Sequence, residues 1–141
     1  MPVTWEIRDR LLILHLIGHY DYDAPINAVT DAMLDPGFQP GTMLLIDARF
    51  TGTRRSSEEF RERAIWMASL QSKGLAPRSA IVINSQPHQF GVARMAATHV
   101  EIQNMETQIF TDMDAAASWL LGSSLAESGA DSAAKSAGST A

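Results

Sequence analysis

The chain is 141 residues long, with 45% hydrophobic and 19% charged residues, the size and make-up of one domain that buries a working core without covalent staples. It contains no cysteine, which excludes disulfides, thiolate nucleophiles and sulfur-ligated metals and fits a reducing compartment. A formal net charge of −5 argues against a nucleic-acid partner, whose binders present an excess of Lys and Arg.

The opening Met1-Pro-Val-Thr-Trp-Glu-Ile-Arg8 lacks the basic start and apolar run of a secretory signal. The longest apolar run, Leu11 to Ile17, is interrupted by His15 and is too short to span a bilayer. A cytoplasmic protein with no stable membrane insertion is expected.

Val3, Trp5 and Ile7 alternate with polar neighbours, the period of a strand with one wet face. Asp9-Arg10 is short enough for a hairpin turn, and Leu11 to Ile17 reads as a strand buried on both faces, ended by Gly18. Ala24 to Leu34 is predicted as a helix, with Asp23 as its cap and Pro25 in its first turn. Asp35 to Gly41 is loop chemistry throughout. Met43 to Asp47 forms a third strand. The helix after it is the best marked: Ser56 and Glu59 form a capping-box pair, Phe60, Ala64, Met67 and Ala68 make an inward stripe, and Gly74 is the stop. Ala80 to Ile83 is a fourth strand, Pro87 to Gln103 a helix, and Gln108 to Phe110 a fifth strand. Asp112 then caps a short helix whose Ala116, Trp119 and Leu120 share one face. From Gly122 onward Ser, Ala and Gly dominate, so residues 122–141 are expected to form a disordered tail to a domain spanning 1–121.

Strands alternating with helices after an initial hairpin imply an α/β layer with a mostly parallel sheet. Four stretches add a resemblance: the opening strand pair ending in Gly18, Leu44-Leu-Ile-Asp47 with Arg49, Phe90-Gly-Val-Ala-Arg-Met95, and Phe110-x-Asp112 through Trp119-Leu120. In this order the chain resembles the SpoIIAA-like family of small bacterial STAS-type proteins, related to anti-sigma-factor antagonists and, more distantly in fold, to CRAL-TRIO lipid-transfer domains. The resemblance implies a STAS-like single layer, a mixed, mostly parallel sheet of about five strands with four helices, and no settled activity. In the antagonists a Ser or Thr after the third strand, in an Asp-Ser-Ser-Gly-like setting, is phosphorylated. Here the stretch reads Asp47-Ala-Arg-Phe-Thr-Gly-Thr-Arg-Arg-Ser-Ser57. The short motif is absent, so no phospho-switch is carried over, although Thr51, Thr53, Ser56 and Ser57 offer hydroxyls.

In open α/β sheets ligands gather beyond the carboxyl ends of the strands. That edge is predicted to hold His19, Asp21 and Asp23 after the second strand, Asp47, Arg49, Arg54 and Arg55 after the third, and Asn84, Ser85 and His88 after the fourth. Arg54 and Arg55 stand at a helix N-terminus, where amide hydrogens, the helix dipole and guanidinium groups together favour an anion. The competing reading, in which Ser56 only caps and the arginines stay solvated or pair with Glu58 and Glu59, is the commoner outcome at a surface. The loop lacks the glycine–lysine pattern of a nucleotide cradle. His19, Asp21, Asp23 and His88 are candidate metal ligands, but no His-x-x-x-His pair supports them, and neither metal nor cofactor is expected. His15 reads as a hydrogen-bonded core residue and His99 as a plain neighbour of the third helix's apolar face. Ser85, His88 and Asp47 or Asp112 make a triad only on paper, without a nucleophile elbow, and no enzyme is expected.

Val92, Ala93, Ala96, Ala97 and Val100 give the third helix a face of small side chains. Such a face lets the helix close onto the sheet or leaves room for an apolar ligand beneath it, and close packing is the expectation because interiors are normally filled. Trp66, off the main stripe near Glu62 and Arg63, is either a contact residue for another chain or folded onto its own domain edge. These features predict a non-enzymatic interaction or regulatory module with an unidentified protein partner, contacting it through Arg49, Arg54, Arg55, Ser56, Ser57 and Trp66. The alternative is a binder of a small apolar or lipid-like ligand between sheet and helices. A homodimer through the first strand's open edge is a further expectation.

Overall fold

Residues 2–52 and 55–122 are described by the structure, a computed structural model. Thr53, Arg54 and all but Gly122 of the expected tail lie outside the described residues. The alternating start folds as β1 (Val3–Arg8), paired antiparallel with β2 (Leu11–Gly18). Asp9 takes φ 57° in the connecting turn, a conformation Asp tolerates better than most residues. The chain continues through α1 (Ala24–Met33), β3 (Thr42–Thr51), α2 (Ser57–Ser69), a 3-10 turn (Leu70–Lys73), β4 (Leu75–Val82), α3 (Pro87–Ile102), β5 (Glu106–Phe110) and α4 (Met113–Leu121). The five-stranded sheet has the order β1-β2-β3-β4-β5, with β2 to β5 all parallel.

This order decides where the helices go. Successive parallel strands laid down in one direction through right-handed crossovers place every connecting helix on the same side. Leu12, Leu14, Leu16 and Leu44 accordingly pack with Val29 and Ala32 of α1 and Ala64 and Met67 of α2. The alternate residues Leu11, Ile13, Met43, Leu45, Ala80 and Val82 meet Ala116 and Leu120 of α4 on the opposite face. Among the described residues only α4 covers that face, because it follows the last strand instead of linking two. Trp119 anchors it, 5.7 Å from the Phe110 ring and under the Arg78 guanidinium at 4.1 Å.

Several helix ends follow local chemistry. The Ser56 hydroxyl accepts from the Glu59 amide at 3.1 Å while the Glu59 carboxylate accepts from the Ser56 amide at 2.9 Å, the full capping box. Asp112 accepts from the Ala115 amide at 2.9 Å. Gly74 ends the 3-10 turn at φ 110°, and a Cβ there would meet Pro40 Cα at 3.3 Å. Asp23 occupies the cap position of α1 but makes no side-chain cap bond, because its own backbone is already helical.

Strands run longer than expected. β3 continues past Asp47 to Thr51 because a bulge lets Phe50 and Thr51 pair with Ile17 and Gly18. β4 begins at Leu75, with the register shift between Thr42–Leu75 and Leu44–Ser79 accommodating Pro77. Leu11 to Leu14 are buried as predicted, but Ile17 is 49% exposed beyond the reach of either helix layer.

Candidate functional site

The apolar face beneath the three crossover helices is not filled. Ile81, Ile83 and Ala93 form a cluster separate from the Leu12–Leu44–Val29 core on the same side. Between them lies a cavity of about 620 Å³ walled by β2, β3 and β4, α2 and α3. The expected close packing of α3 onto the sheet is met where Ala93 and Ala96 lie against Ile81, Ile83, Ile46 and Ala48. A space nevertheless remains beside that contact, toward α2, bordered by the same short side chains Ala48, Ala93 and Ala96. A volume of this order falls within the range of about 300–1,000 Å³ typical of small-molecule sites.

The lining changes character along its depth. Leu16, Ile81, Ile83, Ala93 and Val100 are buried and apolar. Two polar residues, Ser79 and Thr107, are buried among them, and the Thr107 Oγ1 has no hydrogen-bond partner. Toward the carboxyl edge of the sheet the lining becomes half-buried and polar, with Tyr20, Tyr22, Arg55, Glu59, Arg63 and Gln89. This is the edge where open α/β sheets collect ligands.

The rim is built from contacts across the chain. Arg55 donates to the Tyr20 carbonyl at 2.6 Å, and Arg63 donates to the Tyr22 carbonyl at 2.6 Å. The Arg55 guanidinium lies 5.3 Å from the Tyr20 ring centroid, and that of Arg63 lies 4.5 Å from the Tyr22 centroid. The Nε of both arginines is buried without a partner. On the third side, Asn84 donates to the Arg49 carbonyl at 3.1 Å, while the Gln89 carboxamide oxygen accepts from the Asn84 amide at 2.9 Å. These bonds tie the start of α3 to the ends of β3 and β4.

Of the residues expected to form one contact surface, the structure disperses most. Arg55 lines the cavity. Arg49 lies within β3 on the other face, bound to Asp47 through Nε at 2.9 Å and Nη2 at 3.1 Å. Arg54 lies outside the described residues. Ser56 is spent on the cap. Ser57 forms a 2.9 Å hydrogen bond with His99 Nε2, linking α2 to α3, so His99 is not the plain neighbour expected; neither residue lines the cavity. Trp66 packs partly against the main core, with the Arg63 guanidinium 6.0 Å from its ring. His88 reaches the cavity, whereas among the described residues no group of three or more His, Asp or Glu could hold a metal ion.

Two features escaped the sequence. Arg63 stands three residues after Phe60 and one before Ala64, on the inward stripe of α2, and a cation on an apolar stripe was the available signal. The other is a polar chain on the α4 face. His15 binds Asp47 through Nδ1 at 2.9 Å and Glu6 through Nε2 at 3.0 Å. Burial pulls the His15 imidazole down, but its bonds to Glu6 and Asp47 outweigh this and raise its pKa above the ordinary 6.5. Burial likewise pushes Asp47 up, and its bonds to Arg49 and His15 more than reverse it, leaving the carboxyl below the ordinary 3.8. The bond to His15 is the main cause of a lowered Glu6.

A single sheet with one antiparallel edge strand, four sequential parallel strands, three crossover helices on one face and a terminal helix on the other defines the SpoIIAA-like fold. The chain is similar over 84% of its length to 91% of an uncharacterised protein of the DUF3478 family with a SpoIIAA-like fold from Shewanella loihica PV-4, at a TM-score of 0.54 and 18% identity. This likeness is one of fold and agrees with the architecture expected from the sequence. No protein-family model and no curated protein matches the chain. Among the described residues no helix is long and apolar enough to cross a membrane.

Proposed function

We propose that the protein is a non-enzymatic, cytoplasmic STAS-type binding module that takes a small, largely apolar ligand into the space between the sheet and helices α2 and α3. The observation that carries this reading is the 620 Å³ cavity dividing the core of the three-helix face, apolar in its depth and polar at its rim. A partly open, apolar-walled space of this size with a few polar groups at its rim is the usual form of a small-molecule site. A protein partner, the other expectation, finds less support. Arg49 is paired with Asp47, Ser56 is used in the cap of α2, and Trp66 packs partly against the core, so fewer of the residues expected to meet it stand ready.

The test is uptake of a neutral environment-sensitive dye, Nile red, by the full chain and by an Ala96→Phe variant. Saturable binding by the wild type, abolished by the variant at unchanged thermal stability, supports the reading. A folded wild type that takes up no dye, and shows no bound small molecule in native mass spectrometry, removes it.

A further inference from the structure

We infer that the ligand is an amphiphile with an anionic oxyacid head, its apolar body between sheet and α3 and its head against Arg55 and Arg63. The inference rests on the cavity being a ligand site, and adds the chemistry of what enters it. Among the described residues, the charged ones that line the cavity are Arg55, Arg63 and Glu59, so two guanidinium groups face one carboxylate in a chain whose net charge is −5.

That carboxylate is already engaged. Glu59 Oε1 accepts from the Ser56 amide at 2.9 Å, and its Oε2 makes a long ion pair with Arg55 Nη1 at 3.8 Å, which leaves one guanidinium charge in excess. Each arginine is held in place by a neutral backbone carbonyl, at Tyr20 or Tyr22, and by the face of a tyrosine ring. Neither contact cancels a charge. Both Nε donors are buried and unpartnered, and the Arg55 side chain is only 16% exposed. Part-buried cations beside apolar walls are ordinarily paired, since water screens them poorly there. An oxyanion at the rim would supply the missing charge and acceptors for the terminal guanidinium nitrogens, with the forked geometry that guanidinium prefers. Carboxylate and phosphate share this chemistry.

The experiment is isothermal titration of the full chain with dodecanoate, dodecyl phosphate, dodecanol and methyl dodecanoate, all below micelle-forming concentrations. Dodecanoate or dodecyl phosphate, or both, should bind about tenfold or more tightly than the neutral pair, the scale of a charge-assisted contact; whichever anion leads names the head. Arg55→Gln and Arg63→Gln should each remove most of that preference while leaving dodecanol affinity unchanged. Equal affinity of the wild type for anions and dodecanol overturns the inference and leaves the proposed cavity function standing. Failure of all four to bind overturns both. The wild-type series needs no variant, so the inference stays testable if either substitution unfolds the chain.

Discussion

On the face that carries α1, α2 and α3, the strands' apolar side chains fall into two clusters with a cavity between them. On the face that carries α4 the same strands build one filled cluster, bordered by the charges of Glu6, His15, Asp47 and Arg49. The first face has three helices and yet is left partly empty. The second has one helix of nine residues, about 13 Å long, set against five strands spaced about 4.8 Å apart. That helix covers β3 to β5 tightly, and the margin it cannot reach is polar, apart from the exposed Ile17 and Phe50. Limited cover is answered there by hydrogen-bonded charge. Ample cover on the other side still leaves space, because the α3 residues that border it are small.

The largest expected difference between the faces comes from truncating one core residue on each. Leu45, buried against α4, is surrounded on all sides, so Leu45→Ala opens a new void and should cost about 3–5 kcal/mol. Ile81 already borders the cavity and has fewer atoms to lose contact with, so Ile81→Ala should cost about 2 kcal/mol or less. Urea denaturation of both variants measures the gap. Equal losses would mean that the cavity is closed in solution.

The reverse substitutions sharpen the same contrast with a smaller effect. Ala116 of α4 is fully buried against the sheet, and Ala116→Leu has nowhere to place its added carbons, so a loss of about 1–3 kcal/mol is expected. Ala96 borders the cavity, and Ala96→Leu should be neutral or stabilising by up to about 1 kcal/mol while reducing dye uptake. Thermal melts of the two variants, run beside the binding assay, decide it. Destabilisation by Ala96→Leu as large as that by Ala116→Leu would count against an open space under α3.

Much of the frame was legible because it is written in local chemistry. The Ser56–Glu59 box, the Asp112 cap and the glycine stop at Gly74 each depend on residues within a few positions of one another. Element ends were less legible where tertiary pairing overrides the local signal. The fourth strand reads as Ala80 to Ile83, yet a register irregularity lets β4 start at Leu75 and run through Pro77. Arg49 reads as a loop residue, yet pairing with β2 extends β3 around it. Arg55 was singled out for its setting at a helix start, but its tyrosine-carbonyl partner 35 positions away was not. The cavity is signalled only by the small-residue face of α3, which fits close packing equally well. It is what remains when backbone positions fixed by α1 and α2 meet side chains as short as Ala48, Ala93 and Ala96.

The smallest expected effect concerns pH and belongs wholly to the α4 face. His15 titrates above its ordinary 6.5 when folded, because Glu6 and Asp47 favour the imidazolium despite burial. A raised folded pKa means that this stabilisation is complete below about 6.5 and is lost as pH climbs through the folded value. Glu6 and Asp47 titrate below their ordinary 4.5 and 3.8, so their contribution is complete above about 4.5 and is lost as pH falls through the folded values. Stability from this chain of charges therefore has a plateau between about 4.5 and 6.5 and declines on either side. Because the Glu6 side chain is 41% exposed, the alkaline decline should amount to only about 1 kcal/mol. His15→Gln keeps a polar group on the strand but cannot hold the proton, so its unfolding free energy should be flat between pH 6 and 9 where the wild type slopes downward. An identical slope in both proteins would assign the decline to other groups and leave the polar margin of the α4 face as cover alone.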